Sequence, residues 1–262
     1  MHLWRACPLA LLWASLGIAQ VSGDISFTLA TPSGRTQFRL GEGVELEMRF
    51  STTSPGRYAV WTTNTTRTIR QARFDRFLVD PQAGVADPLQ DIFAQFDSGA
   101  AIGLPPPPLP VGAAVVVRVQ LNEWVSIRQP GRYRVTAETS RVIIAGQPAS
   151  TLTLRSNTVE IDVVPPEAGW AAAQFEQAVA VLERTDLRQS NEPERATRIL
   201  RFLETREAAG ALARFFEDGP SGAQKQLHAG LFVSPYHAEV MAAMERALNA
   251  PDRPITYITL QP

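Results

Sequence analysis

The chain has 262 residues, of which 45% are hydrophobic and 19% are charged, and this composition is typical of globular proteins. Its formal net charge of -1 excludes a protein that binds nucleic acid through a globally basic surface. A chain of this length can form one large domain or two smaller ones.

The first 23 residues have the features of a signal peptide. Arg5 precedes an apolar run over 6–19, which is shorter than the roughly 20 apolar residues that a membrane-spanning helix needs. Small residues precede both Gln20 and Asp24, so we expect cleavage before one of these two positions. The mature protein would then be periplasmic or secreted, without a membrane anchor.

Cysteine and lysine are both nearly absent from the chain. The one cysteine, Cys7, lies in the predicted signal peptide, so the mature chain is expected to have no disulfide, thiolate nucleophile or cysteine metal site.

Lys225 is the single lysine beside many arginines. This bias fits the codon usage of a GC-rich bacterial genome, with planar anion recognition by arginine as the alternative.

Short segments with alternating apolar and polar residues, separated by turn-forming residues, fill the region from Ile25 to Val164. In VELEMRF, residues 44–50, the apolar side chains are expected to face a core, and Glu47 with its charged neighbours to face water. Roughly eight such segments predict an antiparallel β-sandwich of the immunoglobulin-like type over 24–165.

A long insertion at 79–111 interrupts the regular strand spacing. It ends in the four consecutive prolines of 105–108, which predict a short, stiff polyproline II connector. Insertions of this length in a compact domain are usually functional or disordered. The prolines are therefore interpreted as a spacer, with a ligand for a proline-binding protein as the alternative.

After the two prolines that end the strand region, apolar residues recur every three or four positions, which predicts amphipathic helices over 167–250. The segments 201–217 and 230–246 can be aligned with each other, which indicates a repeated pair of helices. In each segment a hydroxyl residue, Thr205 or Ser234, is expected to cap the following helix.

The C-terminal tail, residues 251–262, contains the sequence ITYITL, which is rich in β-branched residues and predicts a strand. No partner strand lies nearby in the sequence. We expect this strand either to return to the edge of a sheet or to belong to an architecture that continues in longer relatives.

Two stretches resemble known kinds of module. LNEWVSIRQPGRYRVTAETSR at 121–141, closed by SNTVEIDVVPP at 156–166, resembles Ig-like β-sandwich modules of exported bacterial proteins, in which a Pro-Gly-x-Tyr turn opens a core strand. The segment 194–217 resembles a HEAT-like helical repeat. The resemblance implies binding or scaffolding outside the cytoplasm, and it brings no catalytic residues to particular positions of this chain.

Charged residues around the start of the insertion form the candidate ligand-binding surface. Arginines recur there at every third position, which suits a strip that binds anions or glycans, with ion pairs to the neighbouring aspartates as the alternative. The residues of this surface are Arg67, Arg70, Arg73, Arg76, Asp80, Asp87 and Asp91.

Calcium is an alternative ligand for the acidic residues Asp80, Asp87, Asp91 and Asp97, although their spacing matches no EF-hand and the Asp-Pro pairs are also turn-formers. The sequence GPSGA at 219–223 lacks the last glycine of a nucleophile elbow and follows a predicted helix. His228 and His237 begin no HExxH pattern. We therefore expect no catalytic, cofactor or metal site.

These features together predict a non-enzymatic binding or scaffold protein outside the cytoplasm, whose partner is another protein or an envelope glycan and not a nucleic acid. One alternative is a hydrolase or peptidase-associated protein that uses dispersed carboxylates such as Asp87, Asp91 and Glu123, because such carboxylates leave no local motif. Another alternative is a protease-inhibitor module that presents the loop 80–110.

Overall fold

A computed structural model gives the fold as several antiparallel β-sheets and, among the described residues, five α-helices. The predicted signal peptide, apart from Gly23, and the predicted C-terminal strand lie outside the described residues. The structure describes residues 23–63, 65, 74–90, 106–184, 191–218, 220 and 223–249.

The strands occupy the first two thirds of the described chain and the helices the last third. The strands are β1 Ile25–Ala30, β2 Gln37–Arg39, β3 Glu45–Thr52, β4 Tyr58–Val60, β5 Asp75–Asp80, β6 Val85–Ala86, β7 Val115–Gln120, β8 Ser126–Ile127, β9 Gly131–Ile144, β10 Gln147–Arg155 and β11 Val159–Val164. The helices are α1 Trp170–Leu182, α2 Glu192–Leu203, α3 Arg206–Asp218, α4 Gln224–Val233 and α5 His237–Leu248.

The long strand β9 organises the larger sheet. β10 and β11 pair with one edge of β9, and β4 and β5 pair with its other edge, all of them antiparallel. β2 joins this sheet by parallel pairing with β11. A second sheet has the order β1-β3-β7, and β6 forms a small separate sheet with β8.

Inward-facing residues of both larger sheets share one hydrophobic core. The alternation predicted for VELEMRF is confirmed for its apolar residues, since Leu46, Met48 and Phe50 have no exposed surface. The rings of Phe27 and Phe50 stack with their centroids 4.8 Å apart. Burial of each such side chain contributes about 1.5–3 kcal/mol, so this alternation is a main source of stability for the strand region.

Glu47 differs from its prediction. It lies on the outer face of β3, but only 5% of its surface is exposed, because the guanidinium groups of Arg49 and Arg118 cover its carboxylate. The hydrogen bond from Arg49, followed by that from Arg118, holds the pKa of Glu47 below its usual range. The prediction that Glu47 faces water is wrong, because two long arginine side chains satisfy the carboxylate and exclude solvent from it.

The helices pack in sequence around a second hydrophobic core. Each helix from α1 to α5 contacts the next, and α2 also contacts α4 while α3 contacts α5. The predicted cap at Thr205 is confirmed, since its Oγ1 accepts a hydrogen bond of 3.2 Å from the N–H of Ala208. Among the described residues, no helix has both the length and the apolar character needed to cross a bilayer.

A fully buried carboxylate joins the strand region to the helices. Glu123 lies in the single turn that follows β7 and has 0% exposure. Its Oε2 is 2.6 Å from Nη1 of Arg201, and its Oε1 accepts bonds of 3.2 Å from Nε of Arg198 and 3.1 Å from Nε2 of Gln226. Three side chains from α2 and α4 therefore converge on one acidic residue of the strand region.

Further polar contacts surround this buried cluster. Glu204, at the end of α2, accepts hydrogen bonds of 2.6 Å from the Ser126 hydroxyl and 3.1 Å from Nε of Arg128. Farther along the junction, Arg39 makes a two-pronged ion pair with Glu167, with distances of 2.5 and 2.9 Å. The junction thus has a buried ionic centre and an exposed ionic rim.

The turn before β3 packs directly against the end of α2. A side chain at Gly43 would place its Cβ 2.9 Å from Oε1 of Gln120 and 3.6 Å from the ring of Phe202. Gly41 has a positive φ of +84 and lies against the backbone of Phe202 and Leu203. A side chain at Gly43 would meet the flexible end of Gln120, whereas at Gly41 it is the positive φ that strains other residue types.

Candidate functional site

An open cleft of about 520 Å³ lies along β5, and it is the candidate functional site. Its size falls within the roughly 300–1,000 Å³ range of sites that bind small molecules and short segments. Polar and apolar side chains alternate around it. The lining residues are Asp75, Arg76, Phe77, Leu78, Val79, Gln82, Val85, Ala86, Asp87, Gln90, Trp124 and Val125.

The cleft exists because the chain does not close a hairpin after β5. The turn that follows this strand leads to β6, which pairs with β8 and not with β5. Oδ1 of Asp87 then accepts a 3.0 Å hydrogen bond from the N–H of Leu89. The buried Leu89 side chain anchors the returning chain, residues 85–90. The gap between β5 and this returning chain is the cleft.

Aromatic side chains form one wall of the cleft. The rings of Phe77 and Trp124 meet edge to face, with centroids 5.2 Å apart. Trp124 directly follows Glu123, whose carboxylate is held by α2 and α4. The position of this wall therefore depends on the buried cluster that joins the strands to the helices.

A buried ion pair lies at the end of the cleft where β5 begins. Nη2 of Arg141 is 2.6 Å from Oδ2 of Asp75, and Nε of Arg141 is 3.0 Å from both carboxylate oxygens. Both side chains are essentially inaccessible to solvent. Thr139 donates a further hydrogen bond of 2.7 Å to the same carboxylate.

Arg141 also fixes the chain that follows β4. Its Nη1 donates hydrogen bonds to the carbonyl oxygens of Trp61, at 3.0 Å, and Thr63, at 2.5 Å. One guanidinium thus holds two parts of the chain that are separated by the predicted arginine strip. The sequence contained a clue to this pair, because Asp75 and Arg141 fall at inward-facing positions of alternating strands, where a charged residue needs a partner.

The structure brings two of the predicted ligand-binding residues together at the cleft. Arg76 and Asp87 both line it. The Arg76 side chain is 75% exposed, and its Nη1 lies 3.9 Å from Oε2 of Glu138. Asp80 does not line the cleft, and it forms an exposed ion pair with Arg134 on β9. Arg67, Arg70, Arg73 and Asp91 lie outside the described residues.

Apart from Asp75, the cleft residues that the sequence did not predict are uncharged. Gln82, Gln90 and Trp124 carry no pattern that distinguishes them from ordinary loop or core residues. They become part of a site because the chain turns back after β5 and brings them opposite that strand. Only this non-local arrangement identifies them.

The described residues contain no group of three or more acidic, histidine or cysteine side chains placed to hold an ion, and Asp91 and Asp97 of the calcium alternative lie outside those residues. His228 lies between helices, with its ring centroid 4.9 Å from that of Phe216. Its Nε2 is buried without a hydrogen-bond partner, and burial lowers the pKa of His228 below its usual value. This environment suits a neutral packing residue.

Glu123 is one of the dispersed carboxylates named for the hydrolase alternative. Its two oxygens are fully buried and bound by Arg198, Arg201 and Gln226. A substrate in the cleft meets the neighbouring Trp124 and not this carboxylate. The structure therefore gives Glu123 a place in the junction between strands and helices.

A second cleft of about 520 Å³ lies where β1 begins and β3 ends, beside the exposed Val111. Among the described residues that line it, the charged one is Asp24, which is already engaged by the hydroxyls of Ser54 and Tyr58 and by Arg57. The hydrogen bonds from Ser54 and Tyr58 hold the pKa of Asp24 below its usual range. This cleft offers a ligand fewer polar side chains than the cleft along β5.

Comparison with known proteins does not add to this picture. No protein-family model matches the sequence. No curated protein matches it significantly. The function is therefore inferred from the geometry and chemistry of the cleft itself.

The Asp75–Arg141 pair is expected to contribute to the stability of the fold. Asp75→Asn leaves a buried guanidinium without its counter-charge, so the free energy of unfolding in urea is expected to fall by about 3–5 kcal/mol. Asp80→Asn is the matched control on the same strand, and loss of its exposed pair with Arg134 is expected to cost less than about 1 kcal/mol. Equal losses in the two variants would show that the buried pair does not anchor β5.

Proposed function

We propose that the protein is a binding or scaffold protein that acts outside the cytoplasm and recognises its partner through the cleft along β5. The observation that carries this proposal is the cleft of about 520 Å³, which is lined by Arg76 and Asp87 and by the amide residues Gln82 and Gln90. Charged and amide groups around an aromatic wall are suited to the recognition of a polar chain, such as a peptide or a glycan.

The contacts of the two cleft aspartates support recognition over proton transfer. Asp75 is held in a buried ion pair with Arg141, and Asp87 accepts a hydrogen bond from the backbone of Leu89. A general acid or base must lie within hydrogen-bond reach of its substrate, whereas the Asp75 side chain is inaccessible to solvent and Asp87 is bonded to the backbone of its own loop. These aspartates are suited to shaping the cleft and orienting a bound partner.

We also propose that the strand region is an Ig-like β-sandwich and the helical region a HEAT-like array. Two sheets with alternating inward residues and a shared core support the first assignment. Contacts of α2 with α4 and of α3 with α5, beside those between successive helices, support the second assignment. Both kinds of module offer large surfaces for contact, in agreement with the proposed role.

Export is the part of the proposal that depends on residues 1–23 alone. When the full chain is expressed in a Gram-negative bacterium, we expect the protein in the periplasmic fraction, with Gln20 or Asp24 as its first residue. Edman sequencing or intact mass measurement identifies that residue. Unprocessed protein that stays in the cytoplasm would contradict the export proposal, without bearing on the cleft.

The binding role is tested by filling the cleft. Gln90 is exposed and lines it, so Gln90→Trp is expected to block a partner without disturbing the fold. Ala114→Trp, which fills the second cleft, is the matched control. Wild-type protein and both variants are immobilised and exposed to an envelope extract and to purified peptidoglycan. We expect Gln90→Trp to reduce specific capture at least tenfold and Ala114→Trp to leave it unchanged.

Two results would contradict the proposal. Equal capture by wild-type protein and Gln90→Trp would place recognition elsewhere on the molecule. Turnover of glycosidase or peptidase substrates that Asp87→Asn abolishes would favour the hydrolase alternative. Circular dichroism of each variant establishes that the substitution has not unfolded the chain.

A further inference from the structure

Among the described residues β5 pairs with β9 alone, and its other edge faces the cleft. It pairs with β9 along one side over Asp75–Asp80. Five consecutive residues of β5, from Asp75 to Val79, line the cleft, although alternate residues point to opposite faces of the sheet. A cleft that touches both faces of one strand must run along the edge of that strand.

The hydrogen-bond pattern shows which backbone groups point into the cleft. The N–H of Ser140 donates to the carbonyl of Phe74 at 2.8 Å, so Phe74 and every second residue after it bond to β9. The backbone groups of Asp75, Phe77 and Val79 therefore point away from β9. In agreement with this, the carbonyl of Val79 is the one that the Gln82 side chain reaches.

Most backbone groups on this edge have no partner in the part of the chain that the structure describes. Within the described residues, the N–H groups of Asp75, Phe77 and Val79 and the carbonyls of Asp75 and Phe77 make no hydrogen bond. Proteins usually cover such an edge, since a row of unpaired donors and acceptors is a template for another strand. Here the chain turns away to β6 and leaves a gap instead.

The geometry points to an extended peptide segment of a partner protein as the ligand, bound in the cleft as an additional strand along β5. This inference rests on the proposed binding function and names its ligand class. An added strand lies about 4.8 Å from its neighbour and satisfies alternate backbone groups, and this is the established physics of peptide recognition by strand addition. A glycan has no regular row of amide groups with which to match this edge.

The charges beside the edge select the side chains of the peptide. Arg76 and Leu78 are on the outward face of β5, and the Arg76 side chain is 75% exposed. Glu138 lies 3.9 Å from Arg76 and is shared with Arg155, at 3.7 Å, so two cations compete for one carboxylate. An acidic side chain on the added strand, placed across from Arg76, completes this charge balance.

The inference is tested with peptides of known sequence. A phage-displayed library of random decapeptides is selected on the mature protein, and a selected peptide is synthesised with a fluorescent label. Replacing each backbone N–H of the peptide in turn by N-methyl is expected to weaken binding at least tenfold at every second residue and by less than about threefold between them. Fluorescence polarisation measures each dissociation constant.

Arg76→Glu checks the proposed side-chain preference. It is expected to weaken binding of an acidic selected peptide at least fivefold, whereas Arg132→Glu, an exposed change on β9 outside the cleft, is expected to leave it unchanged. Amide hydrogen exchange followed by NMR gives an independent reading. Bound peptide should protect the amides of Phe77 and Val79, while those of Arg76 and Leu78 are already protected by β9.

Several outcomes would overturn the inference. Peptide binding without the two-residue period of N-methyl effects would show that no strand is added. Self-association of the protein that protects the same amides would assign the edge to a second copy of this chain. Binding of peptidoglycan fragments but of no peptide, abolished by Gln90→Trp, would replace the peptide by a glycan and leave the binding function in place. If neither ligand binds, the proposed function fails together with the inference.

Discussion

The carboxylate of Glu123 is the constraint on which the arrangement of this molecule depends. It has no access to solvent, and its charge is balanced by Arg201, which is itself only 2% exposed at its side chain. Burial of a charge costs several kcal/mol unless partners replace the lost water. Three partners from α2 and α4 do so here, and they come from parts of the chain at least 75 residues away.

This one cluster connects the helices to the cleft. Glu123 is followed directly by Trp124 and Val125, which line the cleft, and then by Ser126, which donates a hydrogen bond to Glu204. The chain therefore alternates between contacts with the helices and contacts with the cleft over four residues. A helix array that was displaced would move the aromatic wall, so the helices support the site without lining it.

The sequence predicted the strands and helix starts that depend on a local pattern of residues. Alternation in VELEMRF located the strand whose apolar residues Leu46, Met48 and Phe50 are fully buried, and the hydroxyl of Thr205 marked the start of a helix. These features depend on residues a few positions apart. The period of two for strands and of about four for helices is therefore visible without knowledge of the fold.

The rest of the site could not be predicted, because it depends on contacts between distant residues. Asp75 and Arg141 form their pair across 66 positions of the chain. The cleft arises because β6 pairs with β8, so that among the described residues no strand pairs with the outer edge of β5. No local motif predicts this pairing. Glu123 looked like a dispersed catalytic carboxylate and is instead the ionic centre of the junction, since neither its burial nor its partners can be deduced from its neighbours in sequence.

If Glu123 joins strands and helices in one cooperative structure, its loss must uncouple their unfolding. This is measured by urea unfolding of Glu123→Gln in a Trp170→Phe background, in which tryptophan fluorescence comes from Trp61 and Trp124 of the strand region and circular dichroism reports the helices. Glu167→Gln at the exposed rim, in the same background, is the control. We expect coincident transitions in the wild type and in the control, which loses less than about 1 kcal/mol. In Glu123→Gln we expect a loss of about 3–5 kcal/mol and a helix transition at lower urea concentration than the strand transition. Coincident transitions in Glu123→Gln at the wild-type midpoint would show that Glu123 does not join the two parts.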